Sequence, residues 1–258
     1  MTSREEYTQT ELLACIASRL LENNKSVFVG TGLPMVASML AQKTHAPGLL
    51  IIFEAGGIGP QIPQLPISVG DSRTFYRAVA ASSMTDVMSM SLAGYTDYGF
   101  LGAAQSDMYA NINTTVIGDH DTPRTRLPGS GGANDVGSSC HRTIIIMRQS
   151  KRSFVRKVDF LTTPGYLSGP GAREKAGLPE GSGPYRLVTQ LAVYSFDEQT
   201  KRTKLLSLLP RATVEQVQDN SQFEIIIPEH IETSPPPTEE ELRLLRTEID
   251  PARMVVGK

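Results

Sequence analysis

Apolar positions recur at two different spacings along the chain, and the alternation between them predicts an α/β fold. Leu12, Leu13, Ile16, Ala17, Leu20 and Leu21 fall at helical spacing behind Thr8-Gln9-Thr10-Glu11, which fits a capping box, so Thr8 to Leu21 is expected to be a helix. Ser26 to Val29 reads as a short strand that ends in Gly30-Thr31-Gly32. Pro34 to Lys43 reads as a helix with proline in its first turn. Leu49 to Phe53 is a continuous apolar run with β-branched members, the pattern of a strand buried on both faces. Strand, helix and strand in so short a stretch form a βαβ unit, and such units build parallel sheets. Further along, Asp86 to Ser91, Tyr98 to Ala103, Thr143 to Met147, Leu187 to Phe196 and Lys204 to Leu209 are expected strands. Thr213 to Asp219 is a short helix, and Thr233 to Pro237 a rigid connector. Thr238 to Ile249 is a capped amphipathic helix with a Glu239–Arg243 pair four residues apart.

Length and composition narrow this picture. At ~150 residues per domain, 258 residues make one large domain or two small ones. Composition does not shift along the chain, so residues 1–258 are read as a single domain. With 40% hydrophobic and 20% charged residues the chain can bury a sizeable core and is not a disordered polymer. Lys plus Arg (25) against Asp plus Glu (27) gives a formal net charge of −2, which argues against a dedicated nucleic-acid binder. No apolar run approaches the ~20 residues that cross a bilayer. The opening MTSREEYTQTE lacks the apolar region of a secretory signal. Cys15 and Cys140 have no partner at CxxC or histidine spacing, so neither a disulfide framework nor a structural zinc is expected. The expectation is a cytoplasmic protein outside the membrane.

Glycine (22) and proline (17) gather in clusters at Gly30–Pro34, Gly56–Pro66, Gly129–Gly137 and Pro164–Gly183. Such clusters between apolar segments mark turns, or places where a ligand approaches the backbone. Glu54 directly follows the Leu49–Phe53 run and precedes Ala55-Gly56-Gly57. A carboxylate at the carboxyl end of a buried parallel strand stands where open α/β sheets bind ligands. It reads either as a nucleophile or general base approached over its small neighbours, or as a strand-end residue that caps a helix or pairs with an arginine. Gly129-Ser130-Gly131-Gly132-Ala133-Asn134-Asp135 can expose successive N–H groups to an oxyanion, or serve as a turn. It is neither a Walker A loop nor a dinucleotide fingerprint. Gly30-Thr31-Gly32 can present N–H groups at a helix start, or simply turn the chain. Asp119-His120-Asp121 reads as a solvated loop rather than a metal site, and Lys151-Arg152 with Arg156-Lys157 as a solvated basic face or a subunit contact. Ser139-Cys140-His141 would place its side chains on opposite sides of a strand, against a thiol–imidazole pair.

Taken together, the motifs carry more than any one of them does. The chain resembles family I of the CoA-transferases, in the B (beta) subunits of the glutaconate CoA-transferase type. The matching segments run nearly end to end in order: Val29-Gly30-Thr31-Gly32-Leu33-Pro34, Glu54, Ser68-Val69-Gly70-Asp71, Gly102-Ala103-Ala104-Gln105, Asn111-Ile112-Asn113 and Ile117-Gly118-Asp119. Gly129 to Asn134, Lys157-Val158-Asp159, Gly169-Pro170-Gly171-Ala172-Arg173-Glu174 and Glu248-Ile249-Asp250-Pro251 complete the series.

The resemblance implies an open, mostly parallel sheet flanked by helices, of the CoA-transferase and NagB-RpiA-like kind, with an alpha (A) subunit as partner and an A2B2 or larger assembly. It implies transfer of CoA between an acyl-CoA, such as acetyl-CoA, and a short mono- or dicarboxylic acid. Glu54 matches the family nucleophile, which becomes a glutamyl-CoA thioester. Gly131, Gly132 and Ala133 match the loop that binds the thioester oxygen, while Gly30, Thr31, Gly32, Gly56 and Gln105 would line the substrate pocket. No metal or redox cofactor is implied, because CoA itself is the substrate. Three positions depart from the family pattern: Ala55-Gly56-Gly57 after the glutamate, Tyr109-Ala110-Asn111 with a glycine lost, and Asp107-Met108 in place of Asp-Pro. They are expected where the acyl group or its loop sits. A CoA-thioester hydrolase or C–C lyase (decarboxylase) on the same fold is the alternative. A non-catalytic ligand sensor would bring a DNA-binding module, and neither a helix-turn-helix nor a basic face is legible.

Overall fold

The computed structural model describes residues 7–257, and the reading of the extreme N-terminus lies largely outside them. Thr8 caps α1 (Gln9–Ser18) with the full reciprocal box to Glu11. The chain then runs through β1 (Ser26–Val29), α2 (Leu33–Lys43), β2 (Leu50–Ile52), β3 (Gly57–Ile58), β4 (Ala80–Ala81), α3 (Met84–Leu92) and β5 (Tyr98–Gly102). Two small hairpins follow, β6 (Gln105–Ser106) with β7 (Ile112–Asn113) and β8 (Val116–Ile117) with β9 (Thr125–Arg126). Next come α4 (Ala133–Ser139), β10 (Arg142–Ile146), α5 (Ala172–Lys175), β11 (Gly183–Val188), β12 (Ala192–Phe196), β13 (Thr203–Leu208) and α6 (Val214–Asp219). β14 (Glu232–Thr233) and α7 (Glu239–Leu244), which continues as a π-turn over Leu245–Ile249, close the chain.

A ten-stranded sheet is ordered β14-β13-β12-β11-β10-β5-β1-β2-β3-β4. Its centre, β2-β1-β5-β10-β11, is wholly parallel, and the antiparallel pairs lie toward the edges. Both faces of that centre are covered, which explains the unbroken apolar runs. Val27, Val29, Ile51, Phe53, Phe100, Ile144 and Ile146 pack with α1, α2 and the C-terminal helix on one face. Phe28, Ile52, Leu101 and Ile145 join Val87 of α3, Val136 of α4 and Val217 of α6 on the other. From β1 the chain passes through α2 to β2 on one side, then returns to place β5 on the other side of β1. The crevice at this reversal, beyond the carboxyl ends of the strands, is where such sheets bind ligands.

Two local expectations are corrected. Asp86 to Ser91 is helical, not extended: Ser83 and Asp86 form a capping box, and Val87 and Ser91, four residues apart, share the buried side. The Glu239–Arg243 pair is replaced, because Arg243 bonds Glu240 at 2.8 Å and Glu248 at 3.0 Å. Leu187 to Phe196 resolves into two antiparallel strands, the first beginning at Gly183. No helix among the described residues is long and apolar enough to cross a membrane.

Candidate active site

Glu54 sits at the tip of the β2–β3 hairpin. The Phe53 carbonyl accepts the Gly56 N–H at 2.9 Å, and the Phe53 N–H reaches the Gly57 carbonyl at 2.9 Å, so residues 53–57 form a tight turn at the strand's carboxyl end. Gly56 has φ +109°, and a Cβ there would lie 2.0 Å from the Ser82 carbonyl oxygen; one on Gly57 would lie 2.1 Å from that of Thr74. These glycines admit protein backbone, not substrate. The expectation that Gly56 lines the substrate pocket is therefore corrected: it is buried under Ser82. Glu54 itself is half-buried, and among the described residues its carboxylate has no hydrogen bond and no ion pair. The readings of Glu54 as a helix cap or an arginine partner fall away.

The loop at 129–133 reaches the same place. Gly129 is pinned twice to Thr114, through its N–H (2.9 Å) and through its carbonyl (2.8 Å to Thr114 Oγ1). A Cβ on Gly132 would stand 3.3 Å from Glu54 Oε1 and 2.4 Å from the Met88 methyl, so glycine here lets the carboxylate and the loop backbone meet. The N–H groups of Gly131 and Gly132 have no acceptor among the described residues, whereas that of Ala133 donates to the Ser130 carbonyl at 2.9 Å. The three-residue loop expected to bind an oxyanion thus offers two free donors, and Ala133 is corrected to a wall residue whose N–H closes the turn. The element behind the loop is tightly seated. A Cβ on Gly99 of β5 would lie 2.5 Å from Val136, and one on Gly137 would lie 2.1 Å from Thr163, so small residues let α4 press onto the sheet. Arg173, only 2% exposed, donates from Nη1 and Nη2 to the carbonyls of Gly165 (2.8 Å), Gly137 (3.3 Å) and Ser138 (3.2 Å), which ties α4 to the 164–183 loop. Burial among those carbonyls, without a carboxylate in contact, pulls the guanidinium pKa below its usual value.

Together these elements enclose a cavity of about 450 Å³, lined by Gly30, Thr31, Glu54, Val69, Leu101, Gly102, Ala103, Thr114, Leu127 and the 129–133 loop. Gly30 and Thr31 line the same cavity as Glu54. Gly32 does not line the cavity: at φ +79° it turns the chain into α2. Gln105 is also displaced from the expected pocket. It is 3% exposed, and its amide is consumed by Asp159 (3.1 Å and 3.0 Å) and Asn113 (2.7 Å). Residues 107–111, expected where the acyl group or its loop sits, do not line this cavity. Ala110 is buried beside Gly165, and Asn111 serves the backbone of Gly165 and Leu167. Met88, at the wall beside Gly132, escaped sequence reasoning because its segment was read as a strand.

Asp119, His120 and Asp121 are exposed, with Asp119 capping its own loop, and no His, Cys, Asp or Glu cluster among the described residues has the make-up of a metal site. Cys140 is fully buried and desolvation pushes its thiol up to about 12, while His141 faces outward to the Gly94 carbonyl.

The coenzyme A transferase family profile matches residues 10–220. The B subunit of 3-oxoadipate CoA-transferase from Pseudomonas knackmussii is 39% identical, over 93% of this chain and 92% of its own length. The B subunit of glutaconate CoA-transferase from Acidaminococcus fermentans is 35% identical over 99% and 97%. The crystal structure of the Acidaminococcus enzyme superposes with a TM-score of 0.92 over 97% of this chain and 98% of that one. A cholesterol ring-cleaving hydrolase IpdB subunit from Rhodococcus jostii, at 27%, and the decarboxylase AibA/AibB, at 25%, are more distant. The chain belongs to the coenzyme A transferase family, and CoA transfer is the activity that this membership assigns it.

Proposed function

We propose that this chain is the B subunit of an acyl-CoA:carboxylate CoA-transferase and that Glu54 is its covalent nucleophile. The observation that carries the reading is an unpartnered carboxylate at the end of β2, touching Gly132, beside two free backbone donors in one cavity. A carboxylate that only served the fold would have a partner; a nucleophile must keep its oxygens available. A Glu54 oxygen adds to the thioester carbonyl. The charge that builds on the carbonyl oxygen is met by the N–H groups of Gly131 and Gly132, donors of a kind worth ~3 kcal/mol each. Collapse breaks the C–S bond, releasing CoA thiolate and leaving an acyl-glutamyl anhydride. The thiolate then attacks the Glu54 carbonyl carbon, expels the first acid as its carboxylate and leaves a glutamyl-CoA thioester. The incoming acid reverses both steps, departs as the new thioester and regenerates Glu54. No electron or proton is left over, so the cycle asks for no redox or metal cofactor, and CoA is a substrate.

The chain acts as one CoA-transferase domain in the cytoplasm, with an alpha (A) subunit as partner in an A2B2 or larger assembly. Short acids of the glutaconate and 3-oxoadipate kind are the first acceptors to try, since relatives acting on them share over a third of this sequence. Incubation of the A–B complex with acyl-CoA and no acceptor, followed by borohydride, tests the reading. Borohydride reduces a thioester and spares a carboxylate, so activity should be lost and residue 54 alone converted to its alcohol. An adduct elsewhere, or full activity after treatment, sinks the nucleophile and moves a hydrolase or lyase with Glu54 as general base ahead.

A further inference from the structure

The segment from Gly169 to Glu174 has no part in the proposed reaction, yet it carries a buried charge, Arg173, which is 2% exposed. Its Nη1 donates to the carbonyls of Pro164 (3.2 Å) and Gly165 (2.8 Å). Its Nη2 donates to those of Gly137 (3.3 Å) and Ser138 (3.2 Å) and to Ser182 Oγ (2.9 Å). Nε has no partner among the described residues. The fold makes room for this group: a Cβ on Gly183, at φ +140°, would stand 3.2 Å from the Arg173 Cδ and Nε. A buried cation held by neutral carbonyls is a costly way to fill space, and an apolar side chain of similar volume would serve a core better. What a guanidinium adds is a rigid fork of donors, which fixes the spacing of the carbonyls it bridges.

Two of the bridged carbonyls, Gly137 and Ser138, belong to the last turn of α4, where a helix leaves acceptors open and favours a positive charge. At the other end of the same helix lie its cap, Gly132, and Gly131. α4 has seven residues, so only about 10 Å separate the two ends, and one end cannot shift without the other. The packing of Val136 on Gly99 and of Gly137 on Thr163 sets the height of α4 above the sheet. Directional bonds at the two ends set its place along the sheet: Thr114 holds Gly129 in front, and Arg173 holds the last turn behind. The far anchor of Arg173 is itself fixed, because the Gly165 N–H donates to Asn111 Oδ1 (2.9 Å) and Asn111 Nδ2 to buried Asp107 (2.8 Å). We propose that Arg173 is a positioning residue for CoA transfer: it touches no substrate, but it fixes α4 and so holds the Gly131 and Gly132 N–H groups in place beside Glu54. The inference rests on the transferase reading, in which those N–H groups receive the thioester oxygen.

Steady-state transfer kinetics of the A–B complex, beside hydrogen–deuterium exchange that needs no turnover, test this with Arg173→Met and Arg173→Lys. Arg173→Met keeps much of the bulk and loses every donor. Its kcat should fall about tenfold or more with the KM for acyl-CoA unaltered, because displaced donors weaken the transition state and not the binding of CoA. The amides of α4 should exchange faster while those of β1 and β2 stay protected. Arg173→Lys, which returns the charge and some of the donors, should recover part of kcat, and it carries both readouts if the methionine variant does not assemble. In a Gly132→Val background Arg173→Met should cost little further, since both act through the same donors. Lys175→Ala, an exposed cation of the same segment, should leave kcat as it is. An arginine that served only the fold would lower the melting temperature, leave kcat of the folded complex intact and leave α4 exchange no faster than that of its surroundings. Any of these last two results, or a full additional loss on top of Gly132→Val, overturns the assignment. If the wild-type complex transfers no CoA to any acid, the transferase reading fails and the positioning role with it. If the wild type transfers CoA and Arg173→Met keeps its kcat, the positioning role fails and the transferase reading stands.

Discussion

In the proposed mechanism Glu54 in the turn and Gly132 in the loop carry the chemistry, and each can be perturbed separately. Glu54→Gln keeps size and shape but cannot form an anhydride, so transfer by the A–B complex should fall to background while thermal stability is unchanged; transfer near the normal rate would contradict the nucleophile. Gly132 has φ −80°, open to any L-residue, so a substitution there strains no backbone. Its new Cβ would instead crowd Glu54 Oε1 and displace Met88, so Gly132→Val should lower kcat about a hundredfold with the fold intact. Steady-state kinetics beside a melting curve separate the two effects, and an unchanged kcat would make the loop a mere turn. Ala110 is a different case. It adopts φ +56° in a buried turn whose neighbour Gly165 leaves no slack. An alanine in that left-handed region costs ~1–2 kcal/mol, part of which glycine gives back through its looser unfolded chain. Ala110→Gly should therefore stabilise by about 0.5–1 kcal/mol in urea unfolding with no change in acid preference. A shift in preference would place this turn in the substrate site after all.

At the scale of elements, the C-terminal helix is stitched to α1 by two buried-side ion pairs that grow out of capping boxes. Glu11 accepts from Arg246 Nε at 2.6 Å and from the Thr8 N–H at 2.8 Å; Glu241 accepts from Arg19 Nη2 at 2.6 Å and from the Thr238 N–H at 2.7 Å. Burial pushes both carboxyl pKa values up, but the arginine and cap hydrogen bonds outweigh it and hold both below the usual range. A folded pKa below the unfolded ~4.3 means the stabilisation is complete above that value and is lost as pH falls through the folded pKa. Urea midpoints should be level near neutrality and drop below about pH 4.3, with a shallower acid slope in Glu11→Gln/Glu241→Gln. An identical slope in that variant would remove these carboxylates from the acid response. The capping boxes behind this layer were legible because Thr-x-x-Glu is a local signal. The parallel centre was legible for a similar reason, since burial on both faces leaves unbroken apolar runs such as Leu49–Phe53. The strand expected over Asp86 to Ser91 is a helix because the start signal lies just upstream, in the capping box of Ser83 with Asp86. Gly56 was assigned to the pocket and Gly99 escaped notice, because what each makes room for is a backbone or side chain far away in sequence.

For the molecule as a whole, the reversal of strand order at β1 gathers the ends of β1, β2 and β5 around one cavity, and that cavity is incomplete. Among the described residues its lining carries the negative Glu54 and no cation, yet the reaction brings a second carboxylate against it. Two like charges at contact repel, and an attacking acid needs a positive group or fixed donors to be held there. A neighbour that closed the crevice could supply the positive charge that this lining lacks. The five most exposed large apolar side chains point to the same neighbour: Ile67 (73%), Val79 (78%), Met84 (54%), Leu92 (61%) and Tyr95 (73%) all lie between β3 and β5, in the segment whose Met88 touches the Glu54 cavity wall. So large an apolar display on one segment is the mark of an association surface. The purified chain alone should therefore transfer no CoA, and activity should appear on titration with its alpha partner. Val79→Glu/Leu92→Glu should weaken that titration by about tenfold or more while the free chain melts as before, because both side chains already face water. Labelled-acetate exchange into acetyl-CoA measures the activity at each ratio. Transfer by the chain alone would show that its own residues suffice to seat the acid, and an unaltered titration in the double variant would move the partner to another face.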